Sequence, residues 1–150
     1  MLKVGDRAPE IQVQTDSGED FRLSAWKGKR VVLYFYPRAD TPGCTVEACE
    51  FRDRIKAFGK HGAAVIGVSP DKPAAQAKFK QKYDLAFTLL ADQDRVAAEA
   101  YGVYKEKNMY GKKVMGIERT TFVIGPGGEI EKIYHKVKAK GHAAEVLESL

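Results

Sequence analysis

The stretch VVLYFYPRADTPGCTVEAC, residues 31–49, decides how the rest of the chain is read. Val31 to Tyr36 is an unbroken run of β-branched and aromatic residues with no polar alternation. Such a run is a strand covered on both faces, and it belongs in the middle of a sheet. Pro37 to Cys44 is a loop closing on Thr41-Pro42-Gly43. A helix is expected from about Thr45 to Phe58, with Val46, Phe51, Ile55 and Phe58 as its apolar stripe and with Gly59 and Gly62 ending it. Cys44 therefore lies where a buried strand hands over to a helix.

Working outward, Ala64 to Ser69 reads as a second buried strand. Pro73 to Tyr83 reads as a helix with proline in its first turn. A short strand at Phe87 to Leu90 and a short helix at Arg95 to Tyr101 come next. Lys105 to Gly116 reads as a charged, glycine-containing connection. Thr120 to Ile124 and Ile130 to Tyr134 form a hairpin across Gly125-Pro126-Gly127-Gly128, before a terminal helix from about His142 to Leu150. Upstream, Glu10 to Thr15 and Phe21 to Leu23 make a strand pair around Asp16-Ser17-Gly18. The alternation predicts an α/β fold with a central mixed β-sheet flanked by helices and an N-terminal β-hairpin. Its ligand site is expected at the C-terminal ends of the strands.

The 150 residues, 44% of them hydrophobic, suit one domain with a core of its own, so residues 1–150 are read as a single unit. No repeat or linker interrupts them. No apolar run approaches the roughly 18 residues of a membrane-spanning helix. Asp6 and Glu10 fall where a signal peptide would be apolar, so a cytoplasmic protein is expected. The net charge of +5 is spread among interleaved acids, which describes a solvated surface and gives no stripe for nucleic acid. His61, His135 and His142 have no ligand spacing, and one C-x4-C pair is a poor zinc signature, so neither a metal nor an organic cofactor is expected. Trp26 and the aromatic strand are read as core, and Tyr101, Tyr104 and Met109 as surface packing residues rather than the lining of a ligand pocket.

Two cysteines in 150 residues are too few for a disulfide scaffold, so they require another explanation. At a helix N-terminus the unpaired N–H groups and the helix dipole favour a thiolate, the nucleophilic form of cysteine. Cys49 follows five residues later. On an intact helix that spacing puts the Cα atoms about 8.6 Å apart, beyond the roughly 7 Å a disulfide spans without backbone movement. Bonding the two sulfurs would require the helix to unwind.

Pro37-Arg38-Ala39-Asp40-Thr41-Pro42-Gly43-Cys44 matches the P-x-x-x-T-x-x-C signature of peroxiredoxins. Its continuation to Cys49 resembles the bacterioferritin-comigratory-protein (PrxQ) branch. VGDRAP near the start, VVLYFYP, AVIGVS and GIERTTFVI fall in family order, so the resemblance covers nearly the whole chain. It implies a thioredoxin-like fold and thiol-dependent reduction of hydrogen peroxide and organic hydroperoxides. Cys44 matches the peroxidatic cysteine and Thr41 the threonine whose hydroxyl holds the thiolate and the incoming peroxide oxygen. Arg119 matches the distant arginine that stabilises developing negative charge, Pro37 the proline that shields the sulfur, and Glu47 a glutamate that orients the arginine. Cys49 matches the resolving cysteine of a disulfide reduced by thioredoxin or a similar dithiol protein. A monomer is implied. Two other readings compete. A general thiol-disulfide oxidoreductase is disfavoured by the missing C-x-x-C, and a non-catalytic basic interaction or holdase domain would leave both cysteines structural.

Overall fold

The computed structural model describes residues 1–150. Strands β1 (Gln12–Thr15) and β2 (Asp20–Arg22) pair as the expected N-terminal hairpin. Leu23, expected to end the second strand, instead opens a 3-10 turn to Trp26. Then come β3 (Arg30–Phe35), helices α1 (Pro42–Asp53) and α2 (Ile55–Lys60), β4 (Ala63–Ser69), α3 (Pro73–Tyr83), β5 (Thr88–Ala91) and α4 (Val96–Ala100). The chain continues through β6 (Tyr104–Met109), β7 (Lys112–Ile117), β8 (Thr120–Ile124), β9 (Ile130–Tyr134) and α5 (His142–Glu148). Seven strands form one mixed sheet in the order β2-β1-β5-β4-β3-β8-β9, with β3 parallel to β4 and antiparallel to β8. It is the thioredoxin-like α/β arrangement, and no helix is long and apolar enough to cross a membrane.

The β3 strand shows why its sequence carries no polar alternation. Val31, Leu33 and Phe35 enter the core on one face of the sheet. Val32, Tyr34 and Tyr36 enter the core on the other, with Cys44, Ala48, Phe51 and Phe58. Tyr34 stacks on Phe51 at 4.7 Å between ring centroids. It lies so close over β4 that a Cβ on Gly67 would sit 2.9 Å from its ring, so only glycine leaves room there.

Four expectations are corrected. The helix after the loop starts at Pro42, not Thr45, because a proline at the first helical position loses no hydrogen bond it would otherwise make. Cys44 is thereby inside the first turn. That helix also stops at Asp53 and restarts at Ile55, with Arg54 off helical geometry between them, and Val46 of the expected apolar stripe is 41% exposed. Thirdly, Lys105 to Gly116 is no connection but the β6–β7 hairpin. Its turn residues Tyr110 and Gly111 both take positive φ, as a two-residue hairpin turn requires. Most of its residues are at least partly exposed, so no apolar alternation marked it. Tyr101 packs in the core rather than at the surface, donating its hydroxyl to the Pro9 carbonyl at 2.7 Å.

Helix α5 is tied to α1 from the side. The Glu50 carboxylate accepts the Gly141 N–H at 2.8 Å, and buried His142 sets its ring edge against Phe51.

Candidate active site

Pro42 and Gly43 occupy the opening of α1, and Cys44 follows in the turn whose N–H groups have no helical partner. The sulfur is not on the surface, since Cys44 is 1% exposed. Arg119, in the two-residue link between β7 and β8, reaches it across the sheet end. Its Nη2 donates to Cys44 Sγ at 3.3 Å, and its Nη1 donates to Glu47 Oε1 at 2.6 Å. Glu47 lies three residues beyond Cys44 in the same helix, so one guanidinium edge is shared between a sulfur and a carboxylate. Gly43 eases this approach, since a Cβ there would stand 3.2 Å from Arg119 Nη2 and press the guanidinium aside by a few tenths of an ångström.

The electrostatics of this group follow from burial. Glu47 is fully covered, and desolvation pushes its carboxyl up to about 7 despite the opposing pull of Arg119. Its second oxygen has no hydrogen-bond partner, and neither does the buried Tyr34 hydroxyl. A neutral carboxyl tolerates a bare oxygen better than a carboxylate does. Burial pulls the Arg119 guanidinium down, but Glu47 and Cys44 outweigh it and hold the group above its ordinary value. The two partners thus differ: the arginine is fixed as a cation, whereas the glutamate titrates near neutrality.

The remaining predicted residues fall around this centre. Thr41 is the extended residue before the helix, and its carbonyl receives the Thr45 N–H at 2.8 Å. Its hydroxyl donates to the Arg38 carbonyl at 2.8 Å and not to Cys44, which leaves the oxygen free to accept a peroxide O–H but not to donate to a thiolate. Pro37 follows Tyr36 directly and is half-buried. Cys49 lies further along intact α1, partly exposed, and both cysteines are free thiols. Sequence reasoning missed two contributors. Gly43 was legible only as part of a turn, its real reason being the arginine opposite. Lys107 sits on the misread hairpin, where burial and Arg119 hold its ammonium below the usual lysine range, within electrostatic reach of Cys44.

The chain is similar to known proteins along nearly its whole length. The AhpC/TSA family profile matches residues 4–133. A putative peroxiredoxin Bcp of Coxiella burnetii is 52% identical over 146 residues, covering 97% of each chain. Peroxiredoxin Bcp of Bacillus subtilis is 48% identical over 149 residues, 99% of this chain and 95% of the relative. Among solved structures, a cysteine-to-serine mutant of Xylella fastidiosa PrxQ superposes with a TM-score of 0.94 at 36% identity, covering 99% of this chain and 95% of the other. The bacterioferritin comigratory protein of Xanthomonas campestris, studied for its alkyl peroxide reduction, gives 0.89 at 41% identity over 93% of this chain and 88% of its own.

Proposed function

The chain belongs to the AhpC/TSA family and within it to the Bcp/PrxQ peroxiredoxins, thiol peroxidases that are reduced by thioredoxin-like proteins, and from that premise we propose how its residues divide the reaction. The observation that carries the reading is the 3.3 Å contact between Arg119 and the buried Cys44 sulfur.

The Cys44 thiolate attacks one oxygen of the peroxide, the O–O bond breaks, and the other oxygen leaves with a proton as water or alcohol. Two electrons pass from sulfur to peroxide, and the sulfur becomes a sulfenic acid. Arg119 carries fixed positive charge beside the sulfur and stabilises the negative charge that develops on the departing oxygen. Glu47 acts through Arg119, holding Nη1 so that Nη2 points at the sulfur. Thr41 receives the peroxide O–H, and Pro37 keeps bulk water off the sulfur.

Cys49 then attacks the Cys44 sulfur, the S–O bond breaks, water leaves, and a disulfide forms. With about 8.6 Å between Cα atoms on intact α1, the first turns of the helix must unwind for this step. Thioredoxin or a similar dithiol protein returns both thiols. In the same reading residues 1–150 are one peroxidase domain, a monomer of the reducing cytosol acting on hydrogen peroxide and organic hydroperoxides. Membranes and nucleic acid play no part, and no cofactor is needed because sulfur itself supplies the electrons.

The test is one equivalent of peroxide followed by peptide mapping without reductant. A Cys44–Cys49 disulfide is expected; thiols left untouched would overturn the assignment.

A further inference from the structure

Arg119 and Glu47 hold the sulfur from one side. The loop that delivers Cys44 is gripped from the other, by groups with no part in the reaction described above.

The grip starts inside the core. Tyr36, at the end of β3, is fully buried and donates its hydroxyl to Gln76 Oε1 of α3 at 2.7 Å; burial keeps that hydroxyl protonated. The Gln76 amide donates to the Leu90 carbonyl at 2.8 Å and to Ser69 Oγ at 2.9 Å. Ser69, at the end of β4, donates to Asp71 Oδ2 at 2.6 Å. The same Asp71 oxygen accepts the Ala39 N–H at 2.7 Å. An unbroken chain of hydrogen bonds thus runs from three adjacent strands of the sheet to the backbone of the Pro37–Thr41 loop.

That loop needs holding. Asp40 adopts φ +59, a left-handed conformation disfavoured for a residue with a Cβ. Such a residue persists where its surroundings over-determine it. Here Asp71 fixes the amide on one side of it, and Asp40's own carboxylate accepts from the Tyr83 hydroxyl at 2.7 Å and from Lys82 at 2.9 Å. Its neighbours Arg38 and Thr41 are joined by the threonine hydroxyl. Tyr36, Ser69 and Gln76 are buried and half-buried Asp71 closes the relay through one oxygen, Oδ2, so the hydrogen bonds define one arrangement of the buried part.

We propose that Asp71, backed by Ser69, Gln76 and Tyr36, is a positioning residue that holds the Pro37–Thr41 loop in the shape that peroxide requires at Cys44. The inference rests on Cys44 as the attacking thiol. It makes opposite demands on the two chemical steps. Attack on peroxide needs the loop fixed, since misplacing a reacting group by about 1 Å can cost on the order of a hundredfold in rate. Resolution by Cys49 needs the neighbouring helix to loosen. Weakening the grip therefore slows the first step and leaves the second unchanged or faster.

The experiment compares the full-length protein with Asp71→Ala and Asp71→Asn by rapid-quench mass spectrometry, which follows Cys44 sulfenic acid and the disulfide separately. In Asp71→Ala, peroxide oxidation is expected to fall by about tenfold to a hundredfold with no slowing of disulfide formation. Asparagine keeps an oxygen acceptor but not the charge, so its oxidation is expected to fall by only about twofold to threefold. If the alanine variant does not fold, the same split on this smaller scale in Asp71→Asn carries the test. Unchanged oxidation in Asp71→Ala, or in Asp71→Asn where the alanine variant does not fold, overturns the proposal. Both steps slowed by one common factor would also overturn it. Cys44→Ser run alongside tests the premise by itself: continued peroxide consumption there would mean that Cys44 is not the attacking thiol, whatever the Asp71 variants do.

Discussion

Two cysteines lie five residues apart on α1, and almost nothing else about the two is alike. Cys44 is sealed from solvent, contacts a guanidinium that is itself tethered by a buried glutamate, and follows a loop anchored into the sheet. Cys49 is partly exposed and makes no hydrogen bond through its sulfur. Five residues of one helix thus separate a buried thiol held by a guanidinium from a partly exposed one that no hydrogen bond holds. In the proposed division of labour, what sets the attacking sulfur apart from the resolving one is supplied by other elements, β7–β8 and the β3 loop, rather than by helix position alone.

The sharpest way to break the comparison is to remove each sulfur in turn. Cys44→Ser is expected to abolish peroxide consumption, whereas Cys49→Ser consumes about one equivalent and then stalls as a sulfenic acid. Sustained thioredoxin-linked turnover in Cys49→Ser, followed through NADPH oxidation, would erase the assigned difference. A smaller effect is expected from Arg119→Lys, which keeps a charge but not the paired donors that reach sulfur and carboxylate together. Its second-order rate with hydrogen peroxide should drop by about a hundredfold in stopped-flow traces. A drop of less than threefold would show that charge alone suffices at the first turn.

The smallest effect concerns Glu47, whose carboxyl is raised from 4.5 to about 7 by burial. Between those values the folded chain keeps a proton that the unfolded chain has released. The Glu47 contribution to stability is therefore fully present below 4.5, declines as pH rises through that window and is lost above about 7. Glu47→Gln removes this term. Melting curves taken from pH 4.5 to 8 should show wild type losing a few degrees relative to the variant. Parallel curves would mean that Glu47 is already ionised when buried.

How much of this was legible in the sequence depended on whether the signal was local. Val31 to Tyr36 announced a central strand because burial on both faces writes itself into six consecutive residues. Cys44 stood out because a buried strand hands over to a helix there, whereas Thr41 and Pro37 took their roles from the family signature in that loop. Arg119 and Glu47 became visible only through resemblance, since their meeting is made by the sheet and lies 72 residues apart in the chain. The β6–β7 hairpin was missed because an exposed two-stranded ribbon has no buried face to impose alternation, and its Tyr110-Gly111 turn lacks the usual asparagine or aspartate. Asp71 gave no warning: an aspartate after Val68-Ser69-Pro70 reads as an ordinary turn residue, and only the approach of Ala39 gives it another meaning.

The interruption at Arg54 has a consequence for the span of chain that must rearrange when the sulfurs join. Helix melting is cooperative, and a rod running uninterrupted from Pro42 to Lys60 would tend to fray as a whole once its first turns opened. Because the hydrogen-bond ladder is already interrupted between Asp53 and Ile55, α2 can stay seated on the sheet through Phe58 while α1 opens alone. The break works as a firebreak, confining the disturbance to about three turns of helix and leaving the rest of that face of the core to serve as the template on which they re-form.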